Sequence, residues 1–332
     1  MLVHFRLTLP TDLSATVQQV VRDCEWATNV TLAEGACLDP AGDLLECDVA
    51  REKAGVLLDS LNEAGLAEHG GIVITTPTST PFRRADLLEA SAPGHPDDAV
   101  IWEAVEAKAE DGGTPTVSFH VFLVLAVVLA AIAVITDSAI LVVGAMVVGP
   151  EFSAIAAASA GIVLGRVGLV GRSLRLLLFS FVFAIGVVTL LALLARATGL
   201  VDAAMITKPR PSTGFIWHPD IWSFIVALVA GAAGVLALAI EKTATMVGVF
   251  ISVTTVPAPG NLALGLALWQ RHEIVGSLEQ LGANVAGMIV SGVIVLALMR
   301  AFWPWITARS EHLFGWRGPR PGAQPGSAGG AR

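Results

Sequence analysis

Charge is scarce in this sequence. Asp, Glu, Lys and Arg make up 14% of its 332 residues, where a soluble globular chain carries about a quarter. The scarcity is uneven: residues 1–117 hold 7 Lys/Arg and 20 Asp/Glu, and residues 118–332 hold 13 and 8. Two parts that differ this much face different solvents, and they join near residue 117. The acidic part lacks the clustered Lys/Arg that phosphate binding needs, which argues against nucleic acid as a partner. Cysteine is scarce too. Cys24, Cys37 and Cys47 all lie in the acidic part. An odd count without metal-ligand spacing fits a reducing compartment better than a disulfide framework. They read as small buried apolar residues, and no metal is assigned. The opening run from Met1 to Arg6, soon stopped by Pro10, is too short and interrupted for a signal peptide, so the acidic domain is expected on the cytosolic side.

What the sequence has in plenty is apolar residues, 54% of the chain, with a mean hydropathy of +0.71. Six long apolar stretches follow residue 117, at 118–136, 138–165, 174–195, 221–240, 243–269 and 280–302. A transmembrane helix needs about 20 such residues. Trp222, Trp269, Trp303 and Trp305 fall at expected ends, where interfacial anchors sit. Six spans with a cytosolic start put both termini inside. That layout places eight Lys/Arg at inner ends and four at outer ends, the bias of the positive-inside rule. The expected organisation is an α-helical transmembrane bundle over 118–305, then a disordered cytosolic tail over 306–332.

The acidic part reads as β-α-β-β-α-β, a ferredoxin-like α+β domain over residues 1–80. Leu2 to Leu9 is extended and stopped by Pro10. Leu13, Val17, Val20 and Val21 recur at helical spacing. Residues 26–38 and 44–49 flank the turn Asp39-Pro40-Ala41-Gly42-Asp43. A helix over 51–67 and a strand from Ile72 complete the order. A packed dimerisation or assembly module is the preferred role, because no Gly-rich phosphate loop is present. Prolines 77, 81, 93 and 96 mark a linker, and 81–117 is read as linker plus a short amphipathic helix over Ala99–Glu110.

Two spans are interrupted. The second runs from Asp137 through Gly144 to Gly149-Pro150-Glu151-Phe152-Ser153. The fifth runs from Glu241 through Gly248, Ser252, Thr254 and Thr255 to Pro257-Ala258-Pro259-Gly260-Asn261. Each opens with an acid, meets a Gly seven residues later, then meets proline. Proline kinks or breaks a helix, and the freed carbonyls must face protein or a watery cavity. The second and fifth of six spans run antiparallel, so the two patterns suggest inverted three-helix halves whose broken helices meet at a site. Glu151, halfway along a span, is costly unless neutral, hydrated or partnered. It reads either as an ion or proton site or as the N-terminal cap of a half-helix. Pro150, Ser153, Ser252, Thr254, Thr255, Pro257 and Asn261 complete the candidate site; each hydroxyl or amide alone is explained by an interhelical hydrogen bond. Gly231, Gly234, Gly287 and Gly292 read as close-packing positions. His120, His218 and His272 do not cluster in sequence.

The run Thr136-Asp137-Ser138 through Gly144-Ala-Met-Val-Val-Gly149-Pro150-Glu151-Phe152 resembles the hallmark of a prokaryotic family of uncharacterised hydrophobic membrane proteins, domain of unknown function 389. The later run from Gly248 to Pro257, with Asn261, is similar to it as well. So is the order of a small domain before a hydrophobic one, over most of residues 1–300. The resemblance implies an architecture and a bacterial inner-membrane location, and it carries no catalytic residue or cofactor. The expected function is a transporter or channel for an unknown small solute or ion, homo-oligomeric, with a cytosolic regulatory or assembly domain. The alternative is a membrane-anchored sensor or scaffold without flux. No paired catalytic carboxylates, Ser/His constellation or His/Glu metal spacing lies in the spans, so no enzyme is expected.

Overall fold

Alternation builds the first strand. Leu2, Val3, Phe5, Leu7 and Leu9 are buried on β1, Leu2–Pro10. In the computed structural model, which describes residues 2–92, 99–218, 220–241 and 255–314, β1 is followed by α1 (Ser14–Asp23), β2 (Ala27–Leu38) and β3 (Ala41–Ala50). Then come α2 (Ala54–Glu63), α3 (Leu66–His69) and β4 (Gly71–Thr75). The expected single helix over 51–67 is divided, because Gly65 takes a left-handed φ of 78° that ends α2. The four strands form one antiparallel sheet in the order β2-β3-β1-β4, with Phe5 opposite Cys47 and Ile74. Val17 and Val21 of α1 and Leu57 and Leu61 of α2 are buried. Cys47 is buried in this core, and burial pushes its thiol up to about 12. Asp43 is held below the usual carboxylate range by the Ser14 hydroxyl and the Gly35 amide. Residues Arg83–Ser91, within the stretch read as linker, form α4. Ala85 and Ala92 there are buried with Leu2 and Ala50, and Leu88, Phe82 and Trp26 pack against them. The chain divides into two compact units, 1–103 with 302–332, and 104–301.

The second unit is helical. Its elements are α5 (Trp102–Gly112) from Ala104 on, α6 (Val117–Thr136), α7 (Ala139–Val148), α8 (Glu151–Val163), α9 (Val167–Ala197), α10 (Ala204–Thr207), α11 (Ile221–Ala239), α12 (Pro257–Leu268) and α13 (Arg271–Phe314) as far as Ala301. Among the described residues α6, α9, α11 and the Arg271–Phe302 part of α13 are long and apolar enough to cross a membrane. The pair α7–α8 is bent by 53° and makes a fifth crossing if it is one broken span. The remaining expected span, the fifth in chain order, is the one at 243–269. Its first half lies outside the described residues, and its second half is α12. Three expected boundaries differ. Most of the polar joint at 166–172 belongs to α9, and the joint at 270–279 belongs to α13 from Arg271 onward. Residues 306–314, expected in a disordered tail, continue α13, and 315–332 lie outside the described residues. Polar side chains that are good helix formers do not end a helix at a bilayer surface.

Contacts fix the directions of the helices. His120 of α6 meets Ser180 of α9, and Ile135 and Ala195 further along line one crevice, so α6 and α9 run the same way. Thr189 and Arg196 of α9 reach the carbonyls of Ala263 and Ala267, so α12 runs with them. In the opposite sense, Ser159 of α8 reaches the Ile289 carbonyl and Arg300 reaches that of Val163, so α8 and α13 run together. Gly287 lies beside Ala227 and Gly292 beside Val235, which adds α11 to that set. As the spacing predicts, these are close contacts: a methyl on Gly231 would run into the Met288 backbone, and one on Gly234 into the Phe152 ring.

The same local structures recur 104 residues apart. Val117 and Ile221 start α6 and α11. Thr116 and Asp220 cap them, accepting from the amides of Phe119 and Ser223. Asp137 and Glu241 leave these helices with φ of 49° and 61°, and Gly165 and Trp269 leave α8 and α12 with φ of 72° and 60°. The Arg166 amide reaches back to the Gly161 carbonyl, and the Gln270 amide to that of Gly265. Val167 and Arg271 start α9 and α13.

Candidate intramembrane site

Pro150 removes a backbone donor in mid-span, and the helix breaks there. The Gly149 amide closes α7 on the Ala145 carbonyl, and the Ser153 amide turns back only to Pro150. α8 therefore starts inside the unit, with Glu151 in its first turn. Glu151 is 7% exposed, and its Oε2 has no hydrogen-bond partner among the described residues. The carboxylate lies over Gly149. A methyl group there would run into both Glu151 Oε2 and Val256 Cγ2. Gly149 is therefore a position where only a hydrogen leaves the acid its room.

Val256 is the residue just before α12, so the contact with Gly149 brings two helix starts together. α8 and α12 belong to opposite sets, so they meet N-terminus to N-terminus. Thr255 is fully buried there, and its hydroxyl also lacks a partner. Glu151 and Thr255 are 104 residues apart; Glu151 is the first residue of α8, and Thr255 lies two residues before the first residue of α12. Ser153 donates to the Pro150 carbonyl at 2.8 Å and is turned toward its own helix. Ser252 and Thr254 lie outside the described residues. Pro257 occupies the first position of α12, where its missing N–H costs nothing.

Asn261 belongs to a different cluster, which sequence reasoning did not assemble. Arg210, from the joint before α11, donates to Asn261 Oδ1 at 2.9 Å and to Glu273 Oε1 at 2.6 Å. Asn261 in turn donates to Glu273 Oε2 and Ser277 Oγ, at 2.8 and 2.9 Å. The Arg210 and Glu273 side chains are 2% and 7% exposed. Arg210 is one of the four basic residues that the six-span layout places at outer ends; the fold buries it, because Glu273 and Asn261 satisfy its planar fork. Beside it, Trp217 contacts His218 and His272, so two of the three scattered histidines come together in space. Among the described residues no group of three or more His, Cys, Asp or Glu is placed to hold a metal.

The signal for this cluster was spacing. Glu273, Ser277, Gln280 and Asn284 recur at intervals of four, three and four and share one face of α13, and all are buried. Asn284 lies eight residues before Gly292, and Glu151 eight residues before Ser159, which touches Gly292. Because α8 and α13 run the same way, Glu151 and Asn284 sit at one depth, about 12 Å from that contact.

The other end of the unit has its own clasp. Arg166, just past α8, pairs with Glu106 and Glu110 of α5, and Lys108 of α5 pairs with Glu241 at 2.7 Å. The position 104 residues after Lys108 is Ser212. Its amide binds Asp137, as does the Thr213 hydroxyl.

Residues 146–290 match the model of a family described as Domain of unknown function (DUF389), a stretch that spans the α7–α8 break, α12 and the buried face of α13. No curated protein and no solved structure matches the chain.

Proposed function

We propose, for a chain that carries domain of unknown function 389 across residues 146–290, a transporter or channel for a small solute or ion. In this reading residues 104–200 and 208–304 are two inverted three-helix halves in six crossings. The protein lies in the bacterial inner membrane as a homo-oligomer with both termini cytoplasmic, and no enzymatic step is involved. The strand order of the N-terminal sheet supports a ferredoxin-like regulatory or assembly domain. The recurrence of caps, left-handed turns and helix starts at one spacing in two oppositely directed sets supports the repeat.

The observation that carries the functional reading is the meeting of α8 and α12 at Gly149 and Val256, the neighbours of Glu151 and Thr255. A buried acid with one oxygen unpartnered inside an apolar unit is costly, and sites at which two broken helices face each other are where membrane transporters hold their solutes. The test is flux through the full-length protein in liposomes, run over a panel of cations, anions and neutral solutes. For the solute that moves, Glu151→Gln is expected to change rate or coupling at unchanged thermal stability. Flux unaltered by that change would remove Glu151 from the pathway. No flux for any solute, with ligand binding by the full chain, would favour the sensor alternative.

A further inference from the structure

We propose that the meeting point of α8 and α12 is a site for a small monovalent anion that enters together with a proton, with Glu151 taking the proton. This rests on the transport reading and adds the class of solute and its coupling.

The argument starts from the helix ends. A helix N-terminus presents amide N–H groups and about half a positive charge. α8 and α12 have 13 and 12 residues, and both N-termini are buried against each other through Gly149 and Val256. Two such ends together match about one negative charge. The group now in that position is the Glu151 carboxylate, 93% buried, with one oxygen unused. It stands where the ligand's negative atom would stand. The hydroxyl of Thr255, the residue before Val256, is fully buried and unused among the described residues, which makes it a further donor beside the start of α12.

Charge balance then ties the anion to a proton. The carbonyl end of α7 lies at the same break and is partly negative. An anion added beside an ionised Glu151 would put two full negative charges side by side in an apolar surround. An anion that arrives with a proton on Glu151 leaves the total unchanged and frees both helix ends to bind it. A bare metal cation fits less well. It takes about six oxygens when dehydrated, and the described side chains offer two unused ones here, Glu151 Oε2 and Thr255 Oγ1.

Among the described residues the charged groups nearest Glu151 belong to α5, whose Gly112 lies against Ser153 of α8. Of these, Glu106 and Glu110 are paired with Arg166, Lys108 is paired with Glu241, and Asp111 is exposed. α7, α11 and α12 contain no titratable side chain, and α6 has only His120, at its far end against Ser180. Among the charges of α9 and α13, Arg166 of the preceding joint, Arg172, Arg175, Arg196, Arg271, His272, Glu273, Glu279 and Arg300 lie toward helix ends or on exposed faces. Glu273 is already committed to Arg210.

The test uses the full chain in liposomes. Chloride, nitrate and thiocyanate gradients are imposed in one set of arms, sodium and potassium gradients in another, and a pH dye is trapped inside. The expected result is anion-driven proton movement in the same direction as the anion. Uptake should fall about tenfold per pH unit on the alkaline side of the Glu151 titration. Glu151→Gln, permanently neutral, should move the anion without the proton and without that pH dependence. Thr255→Val, which keeps the acid, should weaken anion affinity several-fold and leave coupling intact. Cation flux that depends on Glu151 would overturn this inference and leave the transport reading standing. So would movement of neutral solutes alone, or coupling that survives Glu151→Gln. Absence of flux for every solute would defeat the transport reading and this inference with it.

Discussion

The two stretches 104–200 and 208–304 share a backbone plan and differ in chemistry. α6 and α11, and α9 and α13, start at matching positions and the turns before and after them match, yet Glu151 in the first stretch is Thr255 in the second, Gly165 is Trp269, and α8 and α12 start 106 residues apart. The end clasps differ in the same way. Arg166 with Glu106 and Glu110 is about half exposed, whereas Arg210 with Glu273 and Asn261 is sealed from solvent. Where geometry repeats and side chains do not, the backbone reports how the unit folds, and the departures report what each half does. One half supplies the acid and the other the tighter lock.

The sharpest break of this comparison is Arg210→Ala against Arg166→Ala. Removing Arg210 strands a buried Glu273 and should cost about 3–5 kcal/mol. Removing Arg166, an exposed partner, should cost about 1 kcal/mol or less. Thermal unfolding in detergent checks both, and equal losses would mean the two clasps are alike. Next in size is Gly149→Ala, which must displace Glu151 or Val256 and should cost about 1–3 kcal/mol. Gly144→Ala, which meets nothing within 4 Å, should be neutral or slightly stabilising. Thr255→Val removes a hydroxyl that binds nothing in the described structure. It should leave stability unchanged or raise it by up to about 1 kcal/mol, unlike the loss expected for a bonded threonine.

The smallest effect lies outside the helical unit. Burial first, then Glu89, raises the Glu52 carboxyl above its usual range, opposed by its own backbone amide, the chain's amino terminus and Arg51. A raised acid favours folding in its protonated form, so that contribution is present at low pH and is lost as pH rises through the folded value. Glu52→Gln should therefore raise the melting temperature slightly at neutral pH and not in acid.

Much of this was legible beforehand. The alternation of β1 and the paired apolar runs around the Asp39 turn specified the sheet, because period-two patterning leaves one register that buries Phe5 and Leu7. The spacing from Asp137 to Glu241 and from Gly144 to Gly248 already held the 104-residue step. Proline misled the finer alignment. Pro150 and Pro257 both stand at half-helix starts but lie 107 residues apart, so aligning the prolines hides the 104-residue step from Glu151 to Thr255. Arg210 and Glu273 were hidden because a charge near a predicted span end reads as interfacial. Only the fold shows that the 198–220 joint carries Arg210 back into the helices. The helix α4 was obscured by prolines flanking a stretch that has none of its own between Arg83 and Ser91.

The glycine contacts have a consequence for how the chain could be divided. Phe152 and Ser159 of α8 press against glycines of α11 and α13, and Gly260 of α12 lies on the backbone of α6. Each half thus lends its broken helix to the other. Cut in the 201–207 joint and made separately, neither piece would have its full set of neighbours. Made together, they are complementary fragments, like two hands with fingers interlaced.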